Sequence, residues 1–254
     1  MILISNDDSI NSNGIAALVE VAKQFDDKIL VVAPDSPQSA KSHSITLGKP
    51  LTYQKSDIFG KDIEAYSLSG TPADCVKFAV NVLLKEKPKL VLSGINHGGN
   101  FSVNLIYSGT VAAVVEAAMH TIPSIAFSVD DHAEDLDFTA AKHFAKIIIE
   151  KMLKNNGDIY CLNVNMPYIP IEQIKGIKVC KQTSGVWFEE FEPVHVDHSP
   201  LPHFMLRGSY HNYEPQNTNT DVWAIENGYV AIVPIQTDLT DYEKLQKLSN
   251  LISK

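Results

Sequence analysis

The sequence predicts an α/β fold: a mostly parallel sheet with helices on both faces. Two observations carry this expectation. The first 34 residues already read strand, loop, helix, strand, which is the signature of a parallel βαβ unit. The alternation of short apolar runs with helically periodic segments then continues to about residue 165.

The elements follow in order. Ile2–Ser5 is an apolar run starting almost at the first residue. A polar stretch, residues 6–14, leads into Ile15, Leu18, Val19 and Ala22 at helical spacing. Residues 28–33 form a second apolar run, stopped by Pro34. Residues 47–53 and 63–68 read as two shorter strands, an antiparallel extension. Pro72 suits the first turn of a helix running to about Leu84. Residues 89–93, 124–129 and 158–164 are strands, and 110–120 and 138–154 are helices. From about residue 175 the texture changes. Residues 185–215 are rich in aromatics, Pro and His, and read as a protruding β-hairpin arm with 186–188 and 204–206 as its strands. A lone hairpin is marginal in water, so the arm is expected to pack on another subunit. Residues 229–234 return as a strand, and 240–253 form an amphipathic terminal helix. The chain reads as one domain, 1–254, with a core over 1–175 and the arm, returning strand and helix over 176–254.

Composition bounds the function. With 254 residues, 44% hydrophobic and 20% charged, the chain can bury a substantial core. Its net charge of −9 and lack of a cationic run argue against a nucleic-acid scaffold. No apolar run approaches a membrane span, and the acidic opening does not suit a signal peptide, so a cytoplasmic location is expected. Cys75, Cys161 and Cys180 fit no metal or disulfide spacing and are expected to be buried free thiols.

In an open parallel sheet, ligands bind beyond the carboxyl ends of the strands. The polar residues there are Asn6, Asp7 and Asp8, then Asp35 to Ser39, then Gly94 to Asn100. Two adjacent carboxylates repel unless a cation joins them. Asp7, Asp8, Ser39 and Asn96 supply oxygen donors suited to a hard divalent ion. Ser108-Gly109-Thr110 opens an apolar helix, whose free backbone N–H groups can hold phosphate; an ordinary N-cap fits equally well. Ser69–Pro72 is read as a simple cap, and His97 as either a proton donor or a supporting residue. There is no Walker A loop, no GxGxxG after the first strand and no GxSxG elbow.

These segments together resemble the survival protein SurE family of metal-dependent 5′/3′-nucleotidases. The resemblance runs through residues 2–8 (ILISNDD), 31–35 (VVAPD), Ser39 with 42–46 (SHSIT), 70–76 (GTPADCV), 90–96 (LVLSGIN), 106–113 (IYSGTVAA) and 226–230 (ENGYV). It implies a Rossmann-like core and a homodimer or homotetramer built by exchanging C-terminal elements. It also implies one divalent ion per subunit, Mg²⁺ or Mn²⁺, on Asp7, Asp8, Ser39 and Asn96. The implied reaction is hydrolysis of nucleoside monophosphates, with Asp7 and Asp8 catalytic and Asn6, Ser108, Gly109 and Thr110 near the phosphate; polyphosphate is a further substrate candidate. Water attack and a phospho-aspartate route both remain open, as do a catalytically silent nucleotide-binding protein and a structural oligomer. The sequence departs from the family's usual pattern at Ser9 and Ala40, both commonly Gly, at Gln38, commonly Arg, and at Ser12-Asn13, commonly Ala-Pro. The glycine usual at position 9 can mark a backbone angle costly for serine, and losing the Arg at position 38 removes a phosphate contact.

Overall fold

The structure is a computed structural model that describes residues 1–133, 135–155, 161–199 and 201–253. Its elements are β1 (Ile2–Ser5), α1 (Asn13–Ala22), β2 (Ile29–Pro34), β3 (Tyr53–Lys55), β4 (Glu64–Leu68), α2 (Pro72–Phe78), β5 (Leu90–His97), α3 (Asn104–Tyr107), α4 (Gly109–Met119), β6 (Ser124–Asp130), α5 (Thr139–Lys154), β7 (Cys161–Pro167), β8 (Ile177–Val179), β9 (Gly185–Phe188), β10 (Phe191–Val194), β11 (His203–Leu206), β12 (Ser209–Asn212), α6 (Asp221–Glu226), β13 (Val230–Pro234) and α7 (Tyr242–Ile252).

Nine strands form one sheet in the order β3-β4-β2-β1-β5-β6-β7-β13-β8. From β4 across to β7 every pairing is parallel. β3 caps one edge antiparallel, and β13 runs antiparallel to β7. The chain steps from β1 to β2 on one side and later to β5 on the other. That reversal opens a crevice between the carboxyl ends of β1 and β5.

Side chains alternate across the strands. Ile2, Ile4, Ile29 and Val31 pack toward α1 and α5, while Leu3, Leu30 and Val32 pack toward α2. α4 covers the same side as α2, closing three layers. Thr71 caps α2 in a reciprocal box with Asp74, which also receives both the N–H and the hydroxyl of Thr46. The three cysteines are buried and free, and burial pushes the thiols of Cys161 and Cys180 up to about 12 and about 11.

Several expectations need correction. β5 does not stop at Ser93 but runs to His97, its register with β6 shifting between Ser93 and Asn96. The strand expected over 47–53 is only Tyr53–Lys55, because 47–52 make no ladder; the residue pair expected beside it does hold, since β3 and β4 are antiparallel. The strand expected over 158–164 is Cys161–Pro167, its first three expected residues lying outside the described ones. In the arm, 186–188 pairs with β12 and 204–206 with β10. The turn lies beyond residue 194, so register carries 204–206 to the outer tier. β8, α3 and α6 were not expected: each is too short for a periodic signal.

The segment 35–52 has little regular structure, yet it carries Ser39. Long-range contacts hold it. Gln38 N–H donates to the Asp7 carbonyl at 2.7 Å, and Ser42 donates to the carbonyls of Tyr107 and Ile106. His43 Nε2 lies 3.0 Å from the buried carboxylate of Glu116 on α4, which also meets Lys77 of α2 at 2.8 Å. Burial drives the Glu116 carboxyl upward, but the bonds from His43 and Lys77 and the Lys77 charge outweigh it, holding it down to about 2. Glu116→Gln would leave the Lys77 ammonium without its counter-charge. Its expected cost is about 1–3 kcal/mol in urea unfolding, together with faster proteolysis within 35–52 than at any other loop; an unchanged midpoint would refute the clamp.

Candidate active site

Asp7 lies two residues past the end of β1 and is buried. Its Oδ1 accepts a very short hydrogen bond from the Thr110 hydroxyl. Gly109 permits this approach: a Cβ there would lie 2.8 Å from the Asp7 Cβ. The N-terminus of α4 therefore presses against the carboxylate, where its positive end stabilises negative charge. Even so, burial first, and the neighbouring Asp8 charge second, raise the Asp7 carboxyl to about 6.

Asp8 Oδ2 accepts from the His97 backbone N–H at 3.3 Å and faces its Nδ1 at 3.2 Å. A carboxylate is acceptor-only, so Nδ1 carries the proton. The bond to Asp8, with both Asp charges behind it and burial opposing, raises the His97 imidazole above its usual value. His97 thus supports Asp8, and its ring meets Phe138 edge-on.

Asn96 donates its amide N–H groups to the carbonyls of His97 at 3.1 Å and Gly98 at 2.7 Å. That orientation leaves Oδ1 as the outward acceptor. Asp7, Ser39, Asn96 and Ser108 all line one cavity of about 270 Å³. Asp8 adjoins it through His97. The donor set is two carboxylates with one amide and one hydroxyl oxygen, which fits a hard cation. Among the described residues no three His, Cys, Asp or Glu side chains cluster as ligands, so such a site depends on the neutral oxygens.

The remaining expected residues are placed differently. Asn6 turns away from the cavity: its amide donates to the Ser9 carbonyl at 2.7 Å and to Ser12 Oγ at 2.9 Å, organising the turn that starts α1. Ser12 in turn caps α1. Ser108 Oγ caps α4 by accepting from Val111 N–H, and Thr110's hydroxyl is engaged by Asp7. What this segment offers a phosphate is therefore backbone rather than hydroxyls. The cavity wall also contains Asn104 and Tyr107 of α3, which no strand-end rule picks out, and His132, which was missed although it lies two residues beyond β6.

The two departures at glycine positions are visible in the backbone. Ser9 has φ 86° and Ala40 has φ 57°. Both lie in the left-handed region, which costs an L-residue about 1–2 kcal/mol. Gly14 shows the opposite constraint, since a Cβ there would come 1.9 Å from the Ile95 carbonyl oxygen, so α1 packs directly on β5.

These features define a doubly wound α/β protein with an acidic, oxygen-lined site at the switch point of its sheet. The family model described as Survival protein SurE matches residues 2–189, and the chain belongs to that family. It is 43% identical over 251 residues to the 5′-nucleotidase SurE of Flavobacterium psychrophilum, covering 98% of this chain and 96% of that one. To the 5′-nucleotidase SurE of Flavobacterium johnsoniae it is 45% identical over 252 residues, covering 98% and 95%. The crystal structure of the SurE protein from Aquifex aeolicus superposes with a TM-score of 0.82 at 37% identity, covering 99% of each chain.

Two predictions follow from this geometry. Ser9→Gly removes a left-handed serine at the entropic cost of a glycine, so a net gain of about 0.5–1 kcal/mol is expected; a loss in chemical denaturation would refute the strain. For Asp7, the folded state holds a proton more tightly than the unfolded chain does. Its contribution is complete below about pH 4 and is lost as pH rises to about 6. Metal-free protein should therefore lose up to about 3 kcal/mol across that window, and Asp7→Asn should flatten the loss. Mn²⁺ should raise the melting temperature more at pH 7.5 than at pH 5; equal shifts would count against the assignment.

Proposed function

We propose that the chain is a metal-dependent 5′-nucleotidase that hydrolyses nucleoside 5′-monophosphates to nucleoside and phosphate. One observation carries the reading: Asp7, Ser39 and Asn96 line one small cavity, Asp8 adjoins it through His97, and the N-terminus of α4 stands against Asp7. The names of the relatives support the same activity. Nucleoside 3′-monophosphates and polyphosphate are further candidate substrates.

Asp7, Asp8, Ser39 and Asn96 would hold one divalent ion, Mg²⁺ or Mn²⁺. When bound, that ion supplies Lewis-acid stabilisation of charge on the transferring phosphoryl group. The protein's own groups do the rest. The Gly109 backbone N–H, at the positive end of α4, is the donor this segment would offer a phosphate oxygen; the Thr110 N–H, like its hydroxyl, is bonded to Asp7. Asp7 or Asp8 accepts the proton of the attacking water. The link from His97 keeps the Asp8 carboxylate in one orientation. The attack on phosphorus is assigned to an in-line water; a trapped phospho-aspartate would overturn that step.

We also read the chain as one unit, since β13 and β8 of its last third complete the sheet. The arm and α7 support a homodimer or homotetramer: Phe191, Phe204 and Leu206 stand exposed, and no residue of α7 is buried. No helix among the described residues is long and apolar enough to cross a membrane, and a cytoplasmic location agrees with three reduced thiols.

The test is phosphate release from nucleoside 5′- and 3′-monophosphates and polyphosphate with Mg²⁺, Mn²⁺ or EDTA. Release from 5′-monophosphates that EDTA abolishes is expected. Asp8→Asn should cut turnover roughly 10²–10⁴-fold while leaving circular dichroism unchanged. Full activity in that variant, or activity indifferent to EDTA, would overturn the reading.

A further inference from the structure

We infer that Trp187 and Tyr210, at the root of the arm, are positioning residues for the active site. They fix the loop 98–108 that joins Asn96 to the N-terminus of α4. The inference rests on the site proposed above and extends it to a part of the chain that contributes no residue to the cavity wall.

The loop has an exacting task. At one end β5 delivers Asn96, and at the other Ser108 starts α4. A shift of the loop changes the spacing between a cation donor and the phosphate-facing helix. A misplacement of about 1 Å is enough to cost a reaction a large factor. The loop is short of internal support: α3 has four residues and no side-chain cap. Its Ser102 holds a left-handed φ of 51° while almost wholly buried. Something outside the loop must hold it there.

The arm root does so. Trp187 on β9 donates its indole N–H to Asn104 Oδ1 at 2.9 Å. An indole N–H is donor-only, so the facing atom must be the acceptor oxygen of the amide. Directly across the ladder, Tyr210 on β12 pairs with Trp187, and the two rings meet edge-on at 5.9 Å. Tyr210 Oη donates to Ser102 Oγ at 2.6 Å, and Ser102 Oγ donates onward to the Thr183 carbonyl at 2.9 Å. Gln182 Nε2 adds a bond to the Ser102 carbonyl at 2.9 Å. Behind them the buried Asp221 carboxylate accepts from the N–H groups of both Ser102 and Thr183 at 2.9 Å, tying loop and arm root to α6. Gly185 lets the Tyr210 ring lie against the β9 backbone; a Cβ there would come 2.3 Å from the hydroxyl. The cross-strand pair is thus built into the ladder and aimed at two loop residues. One of them, Asn104, lines the cavity.

The test measures kcat and KM for adenosine 5′-monophosphate with Mn²⁺, with melting temperatures, in the full-length protein. Trp187→Phe keeps an apolar ring and loses the N–H; Tyr210→Phe loses only the hydroxyl. Each should lower kcat/KM about tenfold, chiefly through KM, with kcat falling less than threefold. Asn104→Leu should reproduce Trp187→Phe, and the double variant should be no worse than either alone, because both remove the same bond. Asn104→Asp still offers the indole an acceptor and should lose at least threefold less than Asn104→Leu. Melting temperatures that fall while kcat/KM stays within twofold of the parent would show a merely structural role and overturn the inference, as would equal damage from Asn104→Asp and Asn104→Leu. Should Asp8→Asn retain full turnover in the same assay, the failure belongs to the site and not to the arm.

Discussion

The constraint on which this structure turns is the placement of two carboxylates side by side at the buried end of β1. Their backbone is anchored by β1, which pairs with β2 over Ile2–Ile4 and with β5 over Ile2–Ser5. Burial and mutual repulsion both oppose ionisation at Asp7. The surroundings answer with the Thr110 hydroxyl and the α4 N-terminus on one carboxylate and His97 on the other. These partners reduce the cost without removing it, as the raised Asp7 value records. The raised value measures the electrostatic cost of keeping both carboxylates charged; a bound cation would relieve that cost, but below about pH 6 it must first displace a proton.

Holding donors around that pair requires irregular backbone, and the protein accepts strain to obtain it. Ser9 turns the chain immediately behind the carboxylates and Ala40 follows Ser39, both at positive φ. In each case the strained residue adjoins a candidate ligand rather than being one. The compensation lies elsewhere. Asn6 closes the Ser9–Ser12 turn, and Glu116 anchors the segment around Ser39 through His43. Glu116 sits on the helix whose first turn meets Asp7, so one element sets both the position of that carboxylate and the tether of the loop opposite it.

What could be read in the sequence follows the range of the interactions involved. β1, β2, β6 and the helices α1, α4 and α5 announce themselves through local periodicity, and the capped start of α2 through Ser69–Pro72. That Asp7, Ser39 and Asn96 come to one cavity was legible because strand ends in a parallel sheet converge by topology alone, and Ser108 joins them as the opening residue of a helix. The left-handed angle at Ser9 was legible from a serine at a position where the family resemblance leads one to expect glycine, whereas the one at Ala40 had no such reading. Other features had no local signal. β5 reaches His97 only because β6 offers a shifted register. The arm's pairing is fixed by where its turn falls, and its strands look alike. Asn6 and Thr110 read as phosphate-binding residues in the sequence, and only the fold reveals that their side chains are committed to Ser9, Ser12 and Asp7. Asn104 resembles any loop asparagine until a tryptophan 83 residues away is brought to it.

That last separation bears on how the chain divides its labour. Every candidate ligand lies before residue 100, which suggests a self-sufficient N-terminal unit. The contacts argue otherwise. Asp221 on α6 joins Ser102 of the site loop to Thr183 of the arm root, and β13 inserts between β7 and β8 to finish the sheet. Asn100, three residues beyond His97, is held by Asn163 and Asn165 of β7, the strand against which β13 pairs. The loop that spaces Asn96 from α4 is therefore bounded on one side by the carboxylate crevice and on the other by elements from the last third of the chain. A cleft whose candidate ligands all lie in the first hundred residues owes its dimensions to residues after 160.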